Sequence, residues 1–202
     1  MIGALLHDVD ALLLDWDGTI ADTVASNYMV LSQVLAHHGL RIDRDWYNAR
    51  VGLALADLLD QLGELLHRPV PATSIIATCR TIRTSRMHPM TSIPSVMKLL
   101  DGARALGLPC AIASGASRRI VETGISALHL ENTFRAVITR EDVAHGKPAP
   151  DLFLAAAEAV DAQPRRCIAV DDAIDGITAA YAAGIGKVLT INRGLLQLAV
   201  QP

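Results

Sequence analysis

Apolar residues recur along this chain in two rhythms, and the switch between them marks its organisation. Ala11-Leu-Leu-Leu14 is an unbroken apolar run that ends in Asp15-Trp16-Asp17-Gly18-Thr19. A short run of this kind before a glycine-containing turn is the pattern of a strand buried on both faces, as in parallel sheets. After Ile20 the spacing becomes three and four. Val30, Leu31, Val34 and Leu35 share one helical face, and Leu55, Leu58, Leu59, Leu62, Leu65 and Leu66 share another. These repeats predict amphipathic helices, the first over 26–38. Gly39 and Gly52 are expected to end helices, Pro69 and Pro71 to break the next connection, and 73–86 to form a further helix, with 87–94 as a linker. No strand is expected between residues 21 and 90.

Beyond the linker, helical and apolar stretches alternate. Helices are expected over 95–106, 117–128, 151–160 and 174–183, and strands over 109–113, 136–139, 167–170 and 187–191. With the first strand these make five, and the repeated strand-helix-strand order implies a parallel sheet with right-handed crossovers. The expected fold class is α/β: a doubly wound, Rossmann-like parallel sheet of about five strands, built from residues 1–20 and 91–202, with a small all-helical domain inserted at 21–90. The insertion leaves directly after Asp17-Gly18-Thr19, at the carboxyl edge of the sheet, where it can serve as a lid.

Composition narrows the function classes. The 202 residues are 51% hydrophobic, 19% charged and 3% aromatic, which argues against disorder and predicts a core of Ala, Leu, Val and Ile. No apolar run approaches the roughly 18 residues of a spanning helix. Residues 1–10 carry two acids and no cationic start, unlike a secretory signal. A net charge of -3, with basic residues scattered singly, offers no stripe for nucleic acid or an anionic membrane. Cys79, Cys110 and Cys167 are far apart, odd in number and set in apolar surroundings. That is the pattern of reduced, buried thiols in a cytoplasmic protein, not of disulfides or a zinc site.

Polar residues at the expected strand ends carry the candidate chemistry. The first strand supplies Asp15 and Asp17, the second Ser114-Gly115-Ala116-Ser117, and the fourth Asp171 and Asp172, with Asp175 a turn later; the connection after the third supplies Gly146-Lys147-Pro148. In a parallel sheet these meet at one edge, where open α/β sheets bind ligands. Crowded carboxylates repel unless a cation sits among them, and an all-oxygen set favours Mg2+, whose shell keeps waters and takes a substrate phosphate. A lysine ammonium, a hydroxyl and helix N-terminal amides are what a phosphoryl group needs around it, which gives Lys147 and Ser114 a task. One carboxylate can attack phosphorus, and a second can pass protons to the leaving alcohol and from water.

In these motifs and their order the chain resembles the haloacid dehalogenase superfamily, and within it the phosphatases whose helical cap is inserted after the first motif. Asp15-Trp-Asp17-Gly-Thr is similar to the nucleophile motif and Ser114-Gly115 to the second. Lys147 in Gly-Lys-Pro-Ala-Pro-Asp is similar to the third, and Val170-Asp171-Asp172-Ala-Ile-Asp-Gly to the acidic fourth. The resemblance implies Asp15 as nucleophile, Asp17 as general acid and base, and Ser114, Gly115 and Lys147 as phosphate ligands. It implies Mg2+ held by Asp15, the backbone carbonyl of Asp17 and Asp172, with Asp171 a supporting or alternative ligand. Asp17 favours phosphoryl over carbon-halogen chemistry, because dehalogenating members lack an acid there. Three positions depart from the pattern: Trp16 is larger than the usual residue between the aspartates, Asp171 stands for a frequent Glu or Gly, and Ala173 for a frequent Ser.

The expected activity is hydrolysis of a small phosphorylated metabolite such as a sugar phosphate. A phosphosugar mutase of the β-phosphoglucomutase type would use the same four motifs. A non-catalytic phospho-acceptor or binding protein on the same fold is a third reading, although a receiver domain needs neither the insertion nor Asp17. Arg50, just before Val51-Gly52, falls where related caps carry substrate-selecting residues. His37-His38 and His145 show no metal-binding spacing, and Asp175 is expected at the surface.

Overall fold

The structure, a computed structural model, describes residues 2–50, 55–83, 90–192 and 194–201. The chain divides into two compact units, Met1–Asp22 with Thr91–Pro202, and Thr23–Met90. In chain order the first unit opens with α1 (Ile2–Leu5) and β1 (Ala11–Leu14). The second unit holds α2 (Thr23–His37), α3 (Arg44–Asn48), α4 (Leu55–Leu66) and α5 (Ala72–Arg83). The first unit then resumes with α6 (Pro94–Ala105), β2 (Cys110–Ala113), α7 (Arg118–Ala127), β3 (Ala136–Ile138), α8 (Asp151–Ala159) and β4 (Cys167–Val170). It closes with α9 (Ile174–Ala182), β5 (Lys187–Asn192) and β6 (Leu195–Leu198).

The sheet runs in the order β3-β2-β1-β4-β5-β6. Its first five strands are parallel and β6 is antiparallel to β5. Every residue of β1, β2 and β4 is buried, which is why these strands read as continuous apolar runs and not as alternating ones. On one face Ala11, Leu13, Ala111, Ala113, Cys167 and Ala169 pack against Leu152, Phe153 and Ala156 of α8 and Ala179 and Ala180 of α9. Alanine on the strands leaves room for the helices to approach closely, so a core with few aromatic rings still fills. From β1 the chain steps through β2 to β3, then returns past β1 to β4 and β5. The reversal places the topological switch point between β1 and β4, whose register pairs Leu14 with Val170. Asp15 and Asp171 are the next residue on each strand.

The second unit buries Val30, Leu31, Val34 and Leu35 of α2 with Leu58, Leu59 and Leu62 of α4 and Ile75 and Cys79 of α5. Gly39 ends α2 as expected: at φ 65 it lets Leu40 N–H reach back to Leu35 O at 2.9 Å. The expected helix end at Gly52, the tail of the 73–86 helix beyond Arg83 and most of the linker fall on residues 51–54 and 84–89, outside the described residues. Among the described residues no strand lies between 21 and 90, and Ala21 makes only isolated bridges to Asp17 and Ser92.

Three elements depart from expectation. The sheet has six strands, not five, because Gly194 at φ 76 turns Leu195–Leu198 back onto β5. Leu195 and Leu198 remain 69% and 66% exposed, so no alternating pattern announces the strand. The helices α1 and α3 are too short to show a periodicity; α3 exists because the Asp43 carboxylate accepts from Asp45 N–H and Trp46 N–H. All three cysteines are free and buried, and among the described residues no helix is long and apolar enough to cross a membrane.

Candidate active site

The site grows from the end of β1. Asp15 N–H donates to Val170 O at 3.0 Å, so the pairing with β4 carries one residue past Leu14 and fixes the direction of the Asp15 side chain. The turn then closes through Gly18 N–H to Ala21 O at 2.9 Å, with Asp17 half-buried inside it. Gly18 sits at φ 80, and a Cβ there would stand 2.3 Å from Asp172 Oδ2, so glycine is required for both conformation and space. Thr19, wholly buried, donates its hydroxyl to Asp172 Oδ1 at 3.1 Å. The first motif therefore positions the fourth through its Gly and Thr, besides supplying its own carboxylates.

Lys147 draws the cluster together. Its ammonium donates to Asp15 Oδ1 in a short contact and to Asp171 Oδ2 at 2.7 Å, and it lies 5.2 Å from the centroid of the buried Phe153 ring. Asp171 accepts a further bond on Oδ1 from Ala173 N–H at 3.0 Å, so both of its oxygens are engaged. Gly176 of α9 makes room for it, since a Cβ there would meet the Asp171 carboxylate at 1.9 Å. Asp15, Asp171 and Asp172 each offer an oxygen, all within 4.8 Å of one another.

One ammonium faces three carboxylates. Burial pushes the Asp15 carboxyl up to about 8; Lys147 opposes the rise, and Asp171 and Asp172 add to it. Partial enclosure and then Asp171 raise Asp172 as well, against the Thr19 hydrogen bond. Burial works against charge on Lys147, but Asp15 and Asp171 outweigh it and hold the ammonium above its ordinary value. A clustered, all-oxygen donor set with surplus negative charge fits a hard divalent cation, which would draw Asp15 back to the ionised form a nucleophile needs.

The remaining expected residues are placed as follows. Ser114 extends β2 through its N–H to Ile138 O at 2.9 Å; its buried hydroxyl oxygen accepts from Ala116 N–H at 3.0 Å, and Gly115 beside it is exposed. Asp175 is exposed in the first turn of α9, as expected. His145 pairs with Asp151 at 3.2 Å. Arg50 stacks 4.0 Å from the Trp46 ring centroid and donates to Gln61 Oε1 and Trp46 O, all within the helical unit. Trp16 is wholly buried, and its indole Nε1 has no hydrogen-bond partner among the described residues. Two contributors went unassigned at the sequence level, Gly176 and Phe153. Gly176 stands in the quoted fourth motif and was open to the question of why a helix should begin Ile-Asp-Gly.

Residues 12–190 match the family described as haloacid dehalogenase-like hydrolase. The fructose-1-phosphate phosphatase YqaB of Escherichia coli is 32% identical over 180 residues, covering 88% of this chain and 94% of that protein. The β-phosphoglucomutase of Bacillus subtilis is 26% identical over 193 residues, covering 88% and 81%. Among solved structures, a haloacid dehalogenase family hydrolase of Deinococcus radiodurans with bound phosphate and sodium is 26% identical, with a TM-score of 0.73, over 91% of this chain and 80% of that one. The span of the family match and the near-full-length relatives agree with the motif geometry, and the chain belongs to the haloacid dehalogenase-like hydrolases.

Proposed function

We propose that the protein is a Mg2+-dependent phosphatase that hydrolyses a small phosphorylated metabolite, such as a sugar phosphate, through an aspartyl-phosphate on Asp15. The observation that carries this reading is the Lys147 ammonium bound between Asp15 and Asp171 at the switch point of the sheet. In this reading the Asp15 carboxylate attacks phosphorus, and Asp17 protonates the leaving oxygen and then takes a proton from the attacking water. Ser114, Gly115 and Lys147 bind the phosphoryl oxygens, and Asp171 anchors Lys147. Asp15, Asp172 and the Asp17 carbonyl would hold Mg2+, with Asp171 in support; bound there, the ion supplies positive charge to the phosphoryl group. The helical unit acts as a cap that excludes water, and Arg50, already held by Trp46 and Gln61, contributes to substrate selection. The three buried free thiols support a reducing, cytoplasmic setting.

The phosphatase relative that acts on fructose 1-phosphate supports the substrate class, and the β-phosphoglucomutase relative supports a second reading, isomerisation of a sugar phosphate. One experiment separates them. Purified protein with Mg2+ is incubated with a panel of phosphorylated metabolites, and both inorganic phosphate and isomerised sugar phosphate are quantified. Stoichiometric phosphate release is expected. Isomerised product with little free phosphate selects the mutase, and no turnover with stable phosphorylation of Asp15 selects the phospho-acceptor.

A further inference from the structure

A second polar cluster lies beside the phosphate-binding loops and has no part in the reaction steps. We propose that Arg118 is a positioning residue whose guanidinium clasps the carboxyl end of β3 through Asp142 and so fixes the spacing between the Ser114 loop and the Lys147 loop. The inference rests on the phosphatase reading.

The clasp joins two separate connections. Arg118 opens α7, directly after the Ser114-Gly115-Ala116-Ser117 loop. Its Nη2 donates to Asp142 Oδ2 at 2.6 Å and to Val137 O at 3.2 Å, and its backbone N–H donates to Glu141 Oε2 at 3.2 Å. The same Asp142 oxygen accepts from both the N–H and the hydroxyl of Thr139 at 2.8 Å, and Thr139 is wholly buried. One carboxylate oxygen thus gathers three donors, two from the end of β3 and one from the start of α7. Burial works against ionising Asp142, yet Thr139 and Arg118 outweigh it and hold the carboxyl below its usual range.

Both active-site loops leave from this point. Ser117, the residue before α7, makes no side-chain capping bond, so the helix start is held by Arg118 and Glu141 and not by a cap of its own. On the other side, Val143-Ala-His-Gly146 runs from Asp142 directly to Lys147. The Arg118 side chain is 41% exposed, and ion pairs of that exposure add little to stability. Its consequence therefore falls on where the two loops stand. Arg135 provides the contrast: it pairs with Asp161 at 2.8 Å at the opposite end of β3, away from both loops.

Arg118→Ala, Arg118→Lys, Asp142→Asn, the double variant Arg118→Ala with Asp142→Asn, and Arg135→Ala are compared by steady-state hydrolysis of p-nitrophenyl phosphate, by competitive inhibition with inorganic phosphate and by thermal melting. Misplaced binding groups cost about tenfold or more, so Arg118→Ala is expected to raise KM and the phosphate inhibition constant together by roughly tenfold, with a smaller change in kcat. Arg118→Lys keeps the charge without the planar fork and falls between. The double variant is expected to match the single ones, and Arg135→Ala to leave both constants unmoved. A fall in melting temperature and total activity with KM and phosphate inhibition unchanged makes Arg118 merely structural and overturns the proposal, as do multiplicative effects in the double variant. A wild-type chain that neither hydrolyses the ester nor binds phosphate overturns the phosphatase reading itself, whereas an active wild type with unmoved Arg118→Ala constants overturns the clasp alone.

Discussion

Asp15→Asn is expected to lower kcat by at least ~10⁴-fold, because removing a covalent nucleophile leaves only binding and electrostatic assistance. The substitution is nearly isosteric. The amide keeps a carbonyl oxygen for the Lys147 ammonium, which also retains Asp171 at 2.7 Å. The fold should not suffer. The folded-state value of Asp15, about 8, lies above its ordinary 3.8, so in the metal-free protein ionised Asp15 opposes folding increasingly as pH rises from the ordinary value and levels off above the folded one. Asn removes that cost. The metal-free variant should therefore melt no lower than wild type at neutral to mildly alkaline pH, which thermal unfolding followed by circular dichroism checks. Turnover above about one hundredth of wild type would show that another group attacks phosphorus.

Gly176→Ala sets two effects against each other. Alanine in a helix interior is ordinarily favourable over glycine by about 1 kcal/mol. Here its methyl group would stand 1.9 Å from Asp171 Oδ2, on a carboxylate that is 1% exposed and tied to Ala173 N–H and Lys147. Displacing that carboxylate breaks a buried charge pair, a loss of about 3–5 kcal/mol. The contact wins over the propensity. A lower melting temperature and a fall in kcat/KM of roughly a hundredfold are expected, as Lys147 loses its anchor and its placement. A variant more stable than wild type and fully active would show that Asp171 has room to move and that Lys147 does not depend on it.

Much of this architecture was legible in the chain because the buried strands carry their own signal. Cys167–Val170 coincides with β4, and the helices following β2 and β4 lie within one residue of their expected ends. The strand ends delivered the right carboxylates for the same reason: a parallel sheet collects them at one edge, and no other edge is polar in this pattern. What escaped depends on tertiary partners. The strand β6 exists only by folding back on β5, with its leucines left in solvent. Asp171 reads as a spare metal ligand, whereas both of its oxygens are spent on Lys147 and Ala173, a pairing between residues 24 apart that no local pattern announces. Trp16 between the two aspartates is a buried core side chain, and with two Phe in the whole chain its ring fills space that aliphatic residues elsewhere fill.

The central claim is that Asp15 itself carries the phosphoryl group. Asp17→Asn, mixed rapidly with p-nitrophenyl phosphate and Mg2+ and quenched in acid, tests it most directly, because that leaving group needs no proton while the second step lacks its base. Peptide mass spectrometry is expected to find one phosphoryl group on the Asp15 side chain, formed in step with the first burst of p-nitrophenol. A burst with no phosphorylated Asp15 peptide, or steady p-nitrophenol release in the Asp15→Asn variant, would contradict it.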